Sequence, residues 1–366
     1  MISQGAREGD VLRLYLTAGL LRPFDSITWF FSHYNKRNSN AHNFEGLFDE
    51  VRTMNIFSFF RSQLCVKLPV PRNRFSGQTI IVTGANVGLG LEAARHFVRL
   101  DASKVILAVR STLKGEAAAK SIAESTGRPG VAEVWHLDLT SLDRLDIVVN
   151  DAGIVVYNFE LAEDNESSIT VNAVSQMLLS LLLLPKLRET SIRLKKETAL
   201  TFTGSFVHFM TDFPERKSEN ILKELAIRDK AQMKTRYHVS KLVQLLMVRE
   251  LANQISNSSK PGDVTVSIVN PGFVDTEVMR NASATFHFFF RPYRSLVARS
   301  AEEGTRTLLH AAAGGKETHG QYLSDCKVAI PSEFVRSNEG YEVQKQIWRG
   351  LSDILQNVTP GILKNI

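Results

Sequence analysis

The sequence has few cysteines: only Cys65 and Cys326 occur among its 366 residues, and they lie far apart. A disulfide framework is therefore excluded, and a reducing compartment, the cytoplasm, is the simplest context. Long apolar runs are scarce as well. No segment approaches the ~20 consecutive apolar residues that a membrane-spanning helix needs, so the sequence predicts no transmembrane span.

A strong excess of one charge is missing from most of the chain, since the formal net charge is only +6. Residues 1–75 hold ten Lys or Arg and six Asp or Glu, so they carry +4 and the other residues +2. The basic side chains of residues 1–75 are scattered, which predicts a solvated surface and no nucleic-acid partner. With 43% hydrophobic and 22% charged residues, the composition is that of a globular chain.

The first part of the chain is predicted to be an extension, residues 1–74, before a domain at residues 75–366. Residues 1–53 have no clear period and are expected to be weakly ordered, with Met54 as an alternative start. An apolar segment predicts a helix near residues 55–66. This helix either packs on the domain or serves as an interfacial membrane anchor or a lid over an apolar substrate.

A glycine-rich turn follows the first clear strand. Residues 78–83 (QTIIVT) form a β-branched run typical of a buried parallel strand, and an amphipathic helix follows through about Leu100. Strand, glycine turn and helix in this order favour a dinucleotide site, because glycines let backbone N–H groups approach a pyrophosphate closely. The candidate cofactor-binding residues here are Gly84, Asn86, Gly88, Leu89 and Gly90.

The end of the next strand, residues 104–110, indicates whether the nucleotide is NAD(H) or NADP(H). NAD enzymes place an acid about 20 residues past the glycines to hold the ribose 2′-hydroxyl, and no acid stands at this strand end. Arg110 stands there instead, with Lys114 shortly after it. Because guanidinium groups favour a 2′-phosphate, the sequence predicts NADP(H).

Several motifs occur in one order along the chain: TGANVGLG at 83–90, HLDL at 136–139, NDAG at 150–153, YHVSK at 237–241 and NPGFVDT at 270–276. In this set the sequence resembles the short-chain dehydrogenase/reductase family over about residues 75–366. The closest resemblance is to the retinol-dehydrogenase-like branch, especially fungal secondary-metabolism members. The resemblance implies a Rossmann-type α/β domain with a doubly wound parallel sheet. It also implies NADP(H)-dependent interconversion of an alcohol and a ketone or aldehyde.

The candidate catalytic residues are Ser205, Tyr237, Lys241 and Asn172. Tyr237 and Lys241 are four residues apart and share one helix face. A phenol with a pKa near ~10 releases its proton reluctantly, so we expect the Lys241 ammonium to lower the pKa of Tyr237. Ser205 would donate a hydrogen bond to the substrate oxygen. The resemblance further implies that Lys241 holds the nicotinamide ribose and that Asn172 bends its helix and supports a water path.

The resemblance also implies further cofactor contacts. Asp138 is expected at the adenine, and the NDAG segment lines the adenosine side, although the family usually has Asn where Asp151 stands. A Pro-Gly turn after the strand at residues 264–270 would close over the nicotinamide amide. The residues that these two segments contribute are Asn150, Ala152, Gly153, Pro271, Gly272, Val274 and Thr276.

Two longer segments are predicted to shape the substrate side. An insert at residues 208–236 should cover the substrate mouth, with His208 either touching substrate or serving a structural role. The aromatic segment at residues 285–293 (TFHFFFRPY) is interpreted as a lid over a hydrophobic small-molecule substrate. No metal-ligand motif is present, so no metal site is predicted.

One connection between strands is shorter than the family pattern requires, and this is expected to affect the fold. Only six or seven residues separate the strand predicted to end near Asp138 from the strand predicted to begin near Asp146, whereas a parallel crossover needs a dozen or more. The fourth helix is therefore predicted to be missing, which should bare an apolar sheet face and puts a homodimer in doubt. The alternative function is an impaired or truncated family member that binds cofactor weakly or not at all.

Overall fold

The computed structural model describes residues 56–135, 143–276 and 296–366. Ten strands occur in these ranges: β1 (Thr79–Thr83), β2 (Lys104–Ala108), β3 (Ala132–Val134), β4 (Ile147–Asn150), β5 (Leu161–Ala162), β6 (Asn165–Glu166), β7 (Thr198–Thr203), β8 (Val264–Asn270), β9 (Tyr322–Ser324) and β10 (Lys327–Val328). Nine α-helices of four or more residues pack around them: α1 (Ile56–Cys65), α2 (Gly88–Arg99), α3 (Thr112–Thr126), α4 (Ser175–Leu194), α5 (Ile221–Leu225), α6 (Arg236–Ser256), α7 (Ala301–Ala312), α8 (Glu333–Arg336) and α9 (Asn338–Val358). Short 3₁₀ turns lie between several of these elements, and β5 and β6 form a separate antiparallel hairpin.

Eight strands form one sheet in the order β10-β9-β8-β7-β4-β1-β2-β3. Neighbouring strands are parallel from β3 to β9, and only the edge strand β10 runs antiparallel. Every residue of β1, β4, β7 and β8 is buried. Continuous β-branched and apolar burial is what a parallel sheet covered on both faces requires. The predicted Rossmann-type α/β fold is therefore confirmed.

Helices cover the two faces of the sheet and enclose two apolar cores. On one face α2 packs against α7, and Phe97, Leu107 and Leu308 belong to this core. On the other face α6 packs against α9, and Met177 and Leu246 belong to that core. Because both cores rest on the central strands, the carboxyl ends of β1, β4, β7 and β8 are held rigidly beside one another.

The segment before β1 is packed on the domain. The ring of Phe75 meets Phe97 at a centroid distance of 4.8 Å, and Leu68 is buried, with its carbonyl accepting a hydrogen bond from Arg306. The predicted helix near residues 55–66 corresponds to α1. The predicted weak order of residues 1–53 lies outside the described residues, and the boundary at residue 75 stays a prediction.

The connection from β3 to β4 is longer than the six or seven residues predicted from the sequence. Twelve residues separate Val134 from Ile147; residues 136–142 lie outside the described residues, and residues 143–146 form no helix. β3 ends at Val134, earlier than predicted. The start of β4 is nevertheless fixed, because the buried Asp146 carboxylate accepts hydrogen bonds from Arg144 at 2.6 Å and from the Thr79 N–H at 2.9 Å.

The predicted bare apolar face is wrong for the central strands. Ile81, Ile106 and Val148 are fully buried in the core that contains α4 and α6. The edge strand β3 is only half-buried. The physical reason is that α4 and α6 already cover the middle of the sheet, so the connection from β3 to β4 affects its edge.

By length and composition, one described helical stretch, Ser167–Leu194, could cross a membrane, although most of its apolar window is buried inside the fold. It is a core helix in this structure. In the described residues, no group of three or more His, Cys, Asp or Glu is arranged to hold a metal ion. Cys65 and Cys326 are both free thiols.

Candidate active site

The predicted catalytic residues come together at the carboxyl ends of the parallel strands. Ser205 follows β7, and Tyr237 and Lys241 lie on the first two turns of α6, which packs against β8. The hydroxyl groups of Tyr237 and Ser205 are hydrogen-bonded. Lys241 lies on the same helix face, with its Nζ 6.0 Å from the centre of the Tyr237 ring.

The pKa of Tyr237 differs from the expectation. Burial is the main cause that raises it to about 12, against the opposing effect of the Ser205 hydrogen bond and with a smaller upward contribution from the charge of Asp151. The prediction that Lys241 lowers this pKa is wrong for this structure, because the effect of burial dominates. A phenol with so high a pKa keeps its proton at neutral pH, and this is the form that donates a proton to a carbonyl oxygen.

Lys241 is held by a chain of hydrogen bonds. Its Nζ donates to the Thr203 carbonyl at 2.7 Å and to Gln244 Oε1 at 3.1 Å. The Gln244 amide donates to Gln176 Oε1 at 2.7 Å, and Gln176 in turn donates to the Ala152 carbonyl at 2.5 Å. Burial lowers the pKa of Lys241 to about 8. Sequence reasoning missed both glutamines, although the three-residue spacing of Lys241 and Gln244 on a helix was a usable signal.

Asn172 lies where the helix before α4 departs from regular geometry. Residues Thr170–Val174 form a π-helical turn, and Asn172 is fully buried within it. Its Oδ1 accepts from the Ile154 N–H at 2.8 Å, and its Nδ2 donates to Ser240 Oγ at 3.0 Å. Asn172 therefore joins the irregular helix to α6, one residue before Lys241.

The glycine turn is closely packed by neighbouring segments. A Cβ on Gly84 would lie 3.0 Å from Ala152 Cα, and one on Gly88 would lie 3.4 Å from Thr276 Cγ2. The residue before α2, Val87, has no capping side chain, so the N-cap residue itself satisfies none of the first N–H groups of this helix. Backbone donors in a cradle too narrow for side chains fit a pyrophosphate.

Asp151 lies between this turn and Lys241. Its Oδ1 accepts from the Thr203 hydroxyl at 2.7 Å, and its carboxylate also accepts from the Gly90 N–H. Burial raises the pKa of Asp151, against the opposing effects of the Thr203 hydrogen bond, the Lys241 charge and the Gly90 N–H. The negative charge of Asp151 in turn favours the protonated form of Lys241.

We expect Asp151→Asn to shift the pH profile of catalysis to lower pH. The neutral amide removes the charge that raises the pKa of both Tyr237 and Lys241. The alkaline limb of kcat/KM should then move below that of the unchanged protein. Profiles measured from pH 6 to 10, with the exposed Asp212→Asn as the control, test this; equal profiles for all three proteins would contradict it.

Other candidate cofactor residues surround the turn. Arg110 and Lys114 are exposed just past β2, whose last residue is tied to the turn by a 3.0 Å hydrogen bond from the Gly84 N–H to the Ala108 carbonyl. Asn86 is half-buried in the turn. Asn150 is fully buried, and its amide donates to Ser180 on α4, away from the turn.

The Pro-Gly segment after β8 lies against the same region. Val274 would contact a Cβ on Gly304, as would Leu89, so Val274 and Leu89 both reach α7. Gly153 is close to the catalytic residues, since a Cβ there would lie 3.2 Å from Asn172 Oδ1 and 3.9 Å from Lys241 Nζ. Asp138 and the aromatic segment 285–293 lie outside the described residues.

The insert after Ser205 carries a structural histidine. His208 is 2% exposed, with Nδ1 2.7 Å from the Ser205 carbonyl and Nε2 accepting from the Ser332 N–H. Burial lowers the pKa of His208 to about 4, so the ring stays neutral. Arg236 is also buried, between Glu215 of the insert and Glu166, and it fixes the start of α6 beside Tyr237.

A doubly wound sheet with a glycine turn and a Ser-Tyr-Lys cluster at its carboxyl edge is typical of nucleotide-dependent dehydrogenases and reductases. The family model described as "short chain dehydrogenase" matches residues 78–193. The chain is 42% identical to the short chain dehydrogenase/reductase dmxR8 of Cryptosporiopsis sp. over 326 residues, covering 84% of this chain and 99% of that protein. The protein therefore belongs to the short-chain dehydrogenase/reductase family.

Other similar proteins are fungal as well. The short chain dehydrogenase atnD of Emericella nidulans is 46% identical over 283 residues, covering 73% of this chain and 90% of atnD.

Among solved structures, an uncharacterized protein from Mycobacterium paratuberculosis matches with a TM-score of 0.57 and 23% identity, covering 78% of this chain and 95% of that one. The structural likeness supports the fold, and the fungal relatives confirm the fungal type of the resemblance.

Proposed function

We propose that this protein is an NADP(H)-dependent oxidoreductase that interconverts an alcohol and a ketone or aldehyde on a hydrophobic small molecule. The observation that carries the proposal is the hydrogen-bonded pair of Tyr237 and Ser205 with Lys241 on the same helix face. Together with the glycine cradle, this pair places a proton donor beside a nucleotide site. The fungal relatives favour a substrate from secondary metabolism.

Each catalytic residue has a role that its environment supports. The nicotinamide nucleotide, when bound, supplies or accepts the hydride. In reduction, the neutral phenol of Tyr237 donates its proton to the substrate oxygen, and Ser205 stabilises the negative charge that develops there. In oxidation the proton moves the other way, so Tyr237 would act as the base in its deprotonated, phenolate form. Lys241 contributes positive charge behind the tyrosine, while Asn172 fixes the helix turn that faces it.

The proposal is tested by nucleotide titration and turnover with the full chain. We expect the purified protein to bind NADPH and to oxidise it with apolar probes such as 2-naphthaldehyde. Failure to bind either NADPH or NADH would reject the proposal and favour an impaired protein. The assembled positions of Ser205, Tyr237 and Lys241 do not favour that alternative.

The choice of NADP(H) rests on Arg110, which stands at the end of β2 where NAD enzymes carry an acid. We expect Arg110→Ser to raise the KM for NADPH about ten- to hundredfold, since a charge-assisted hydrogen bond is lost. The KM for NADH should change less than about twofold, because NADH has no 2′-phosphate.

The matched control is Lys120→Ser, an exposed substitution on the neighbouring helix α3. It should leave both KM values unchanged. An equal rise for NADPH and NADH in Arg110→Ser would show that Arg110 does not read the 2′-phosphate.

A further inference from the structure

Helix α1 precedes the predicted catalytic domain, yet it lies against the residues that flank the active site. The ring of Phe59 meets the ring of Phe206 at a centroid distance of 4.9 Å. Phe206 follows Ser205 directly in the chain, at the start of the 3₁₀ turn that Ser205 caps. The apolar side of α1 therefore supports the turn that presents the catalytic serine.

A second contact joins α1 to the loop after β8. The Phe273 N–H donates a hydrogen bond to Gln63 Oε1 at 3.2 Å. Gly272 has a φ of +88°, and a Cβ there would lie 2.7 Å from Gln63 Nε2. Glycine at this position thus lets the Gln63 amide rest directly on the loop backbone.

A buried arginine strengthens the same attachment. Arg299, only 3% exposed, donates to the Ser62 carbonyl at 2.7 Å and to Asp325 Oδ1 at 2.8 Å, and Asp325 also accepts from the Ser62 hydroxyl. The other end of this guanidinium approaches the Pro271 carbonyl at 3.4 Å. Residues far apart in the sequence thereby clamp α1 against the start of the Pro271–Thr276 loop.

This loop reaches the glycine turn. Thr276 lies so close to Gly88 that a Cβ on the glycine would sit 3.4 Å from Thr276 Cγ2. A displacement of the loop at Phe273 therefore changes the space above the turn three residues later. Gln63 is placed to control that displacement without touching the turn itself.

We propose that α1 contributes to the catalytic centre in two ways. Gln63 positions the Pro271–Thr276 loop for cofactor binding. Phe59, through its contact with Phe206, determines how well bulky apolar substrates fit. The inference rests on the proposed oxidoreductase function. It assigns a positioning residue and a specificity residue to a segment outside the predicted domain. It favours a helix packed on the domain over a separate membrane anchor, since the Phe59 ring and the Gln63 amide contact the domain.

The proposed role of Gln63 in cofactor binding is tested with Gln63→Leu, Gln63→Glu and the control Leu64→Ala. Leu64 lies on the same helix and is 49% exposed. Loss of one hydrogen bond of about 1 kcal/mol should raise the KM for NADPH about three- to tenfold in Gln63→Leu, with kcat within about twofold. Gln63→Glu keeps an acceptor for the Phe273 N–H and should restore the KM. Equal KM values for NADPH in Gln63→Leu and Leu64→Ala would contradict the proposed role of Gln63.

The proposed role of Phe59 in substrate fit is tested by measuring Phe59→Ala with two aldehydes of different size. We expect the KM for 2-naphthaldehyde to rise about three- to tenfold, the equivalent of a lost aromatic pair, and the KM for propanal to change little. The KM for NADPH should stay unchanged. A parallel rise for both aldehydes would overturn the assignment of Phe59 to substrate fit.

The two proposals fail in different ways. If the unchanged protein binds neither nucleotide, the proposed function fails and this inference fails with it. If the unchanged protein turns over and both Gln63→Leu and Phe59→Ala match Leu64→Ala, only the inference about α1 is wrong. Thermal unfolding of each variant shows whether a KM change reflects a loss of folded protein.

Discussion

Replacing Tyr237 with phenylalanine should reduce kcat for carbonyl reduction about 10²- to 10⁴-fold, the range that a positioned proton donor contributes. The phenol is the group that hydrogen-bonds Ser205, and its raised pKa of about 12 keeps the proton available at neutral pH. The ring itself is retained in the variant, so the contact of Lys241 with the ring face persists. We therefore expect NADPH affinity to stay within about twofold.

Turnover of 2-naphthaldehyde with saturating NADPH measures this effect. Tyr341→Phe is the matched control, because Tyr341 lies on α9 with 47% of its surface exposed. It should retain full activity. If Tyr237→Phe keeps more than about a tenth of the kcat, another group must deliver the proton and the assigned role of Tyr237 is wrong.

Substituting Gly90 with alanine should abolish tight nucleotide binding and destabilise the fold. The new Cβ would lie 2.7 Å from the Gly84 carbonyl oxygen and 3.0 Å from Asp151 Oδ2. Both neighbours are fixed, since Gly84 is bonded to β2 and Asp151 to Thr203. The turn must therefore open, which moves the N–H groups that would hold the pyrophosphate.

Overpacking of this kind costs about 1–3 kcal/mol, so the Tm should fall by about 2–10 °C. Thermal unfolding and NADPH titration measure the two effects. Gly350→Ala is the control, because Gly350 also lies within a helix but its Cβ would be 3.5 Å from Leu222, an ordinary contact. Equal Tm and NADPH affinity in the two variants would show that the turn tolerates a side chain.

The elements that carry the chemistry could be predicted from sequence. β8 has the predicted bounds, and the strand before the glycine turn begins one residue later than predicted. These segments combine β-branched runs with glycines or a Pro-Gly pair, so local pattern and tertiary fold agree. The helix that contains Asn172 shows the limit, because the hydrogen bonds of Asn172 with Ile154 and Ser240 at the π-helical turn leave no local signal.

The electrostatics of the site could not be predicted from spacing. The four-residue spacing of Tyr237 and Lys241 indicates a shared helix face, but not the direction of the ammonium. That direction depends on the Thr203 carbonyl, which a sequence does not reveal. The raised pKa of Tyr237 likewise depends on burial by the whole domain. The alternatives for the helix near residues 55–66 also needed the fold, because only its contacts distinguish a packed helix from an anchor.

The hydrogen bonds of Lys241 have a consequence for how this side chain changes charge. An ammonium has three N–H bonds, and two of them are directed to Thr203 and Gln244. With a pKa of about 8, the group loses a proton near neutral pH. The neutral amine still has two N–H bonds, which the same two acceptors retain. Lys241 can therefore exchange its third proton while its hydrogen bonds to Thr203 and Gln244 stay in place.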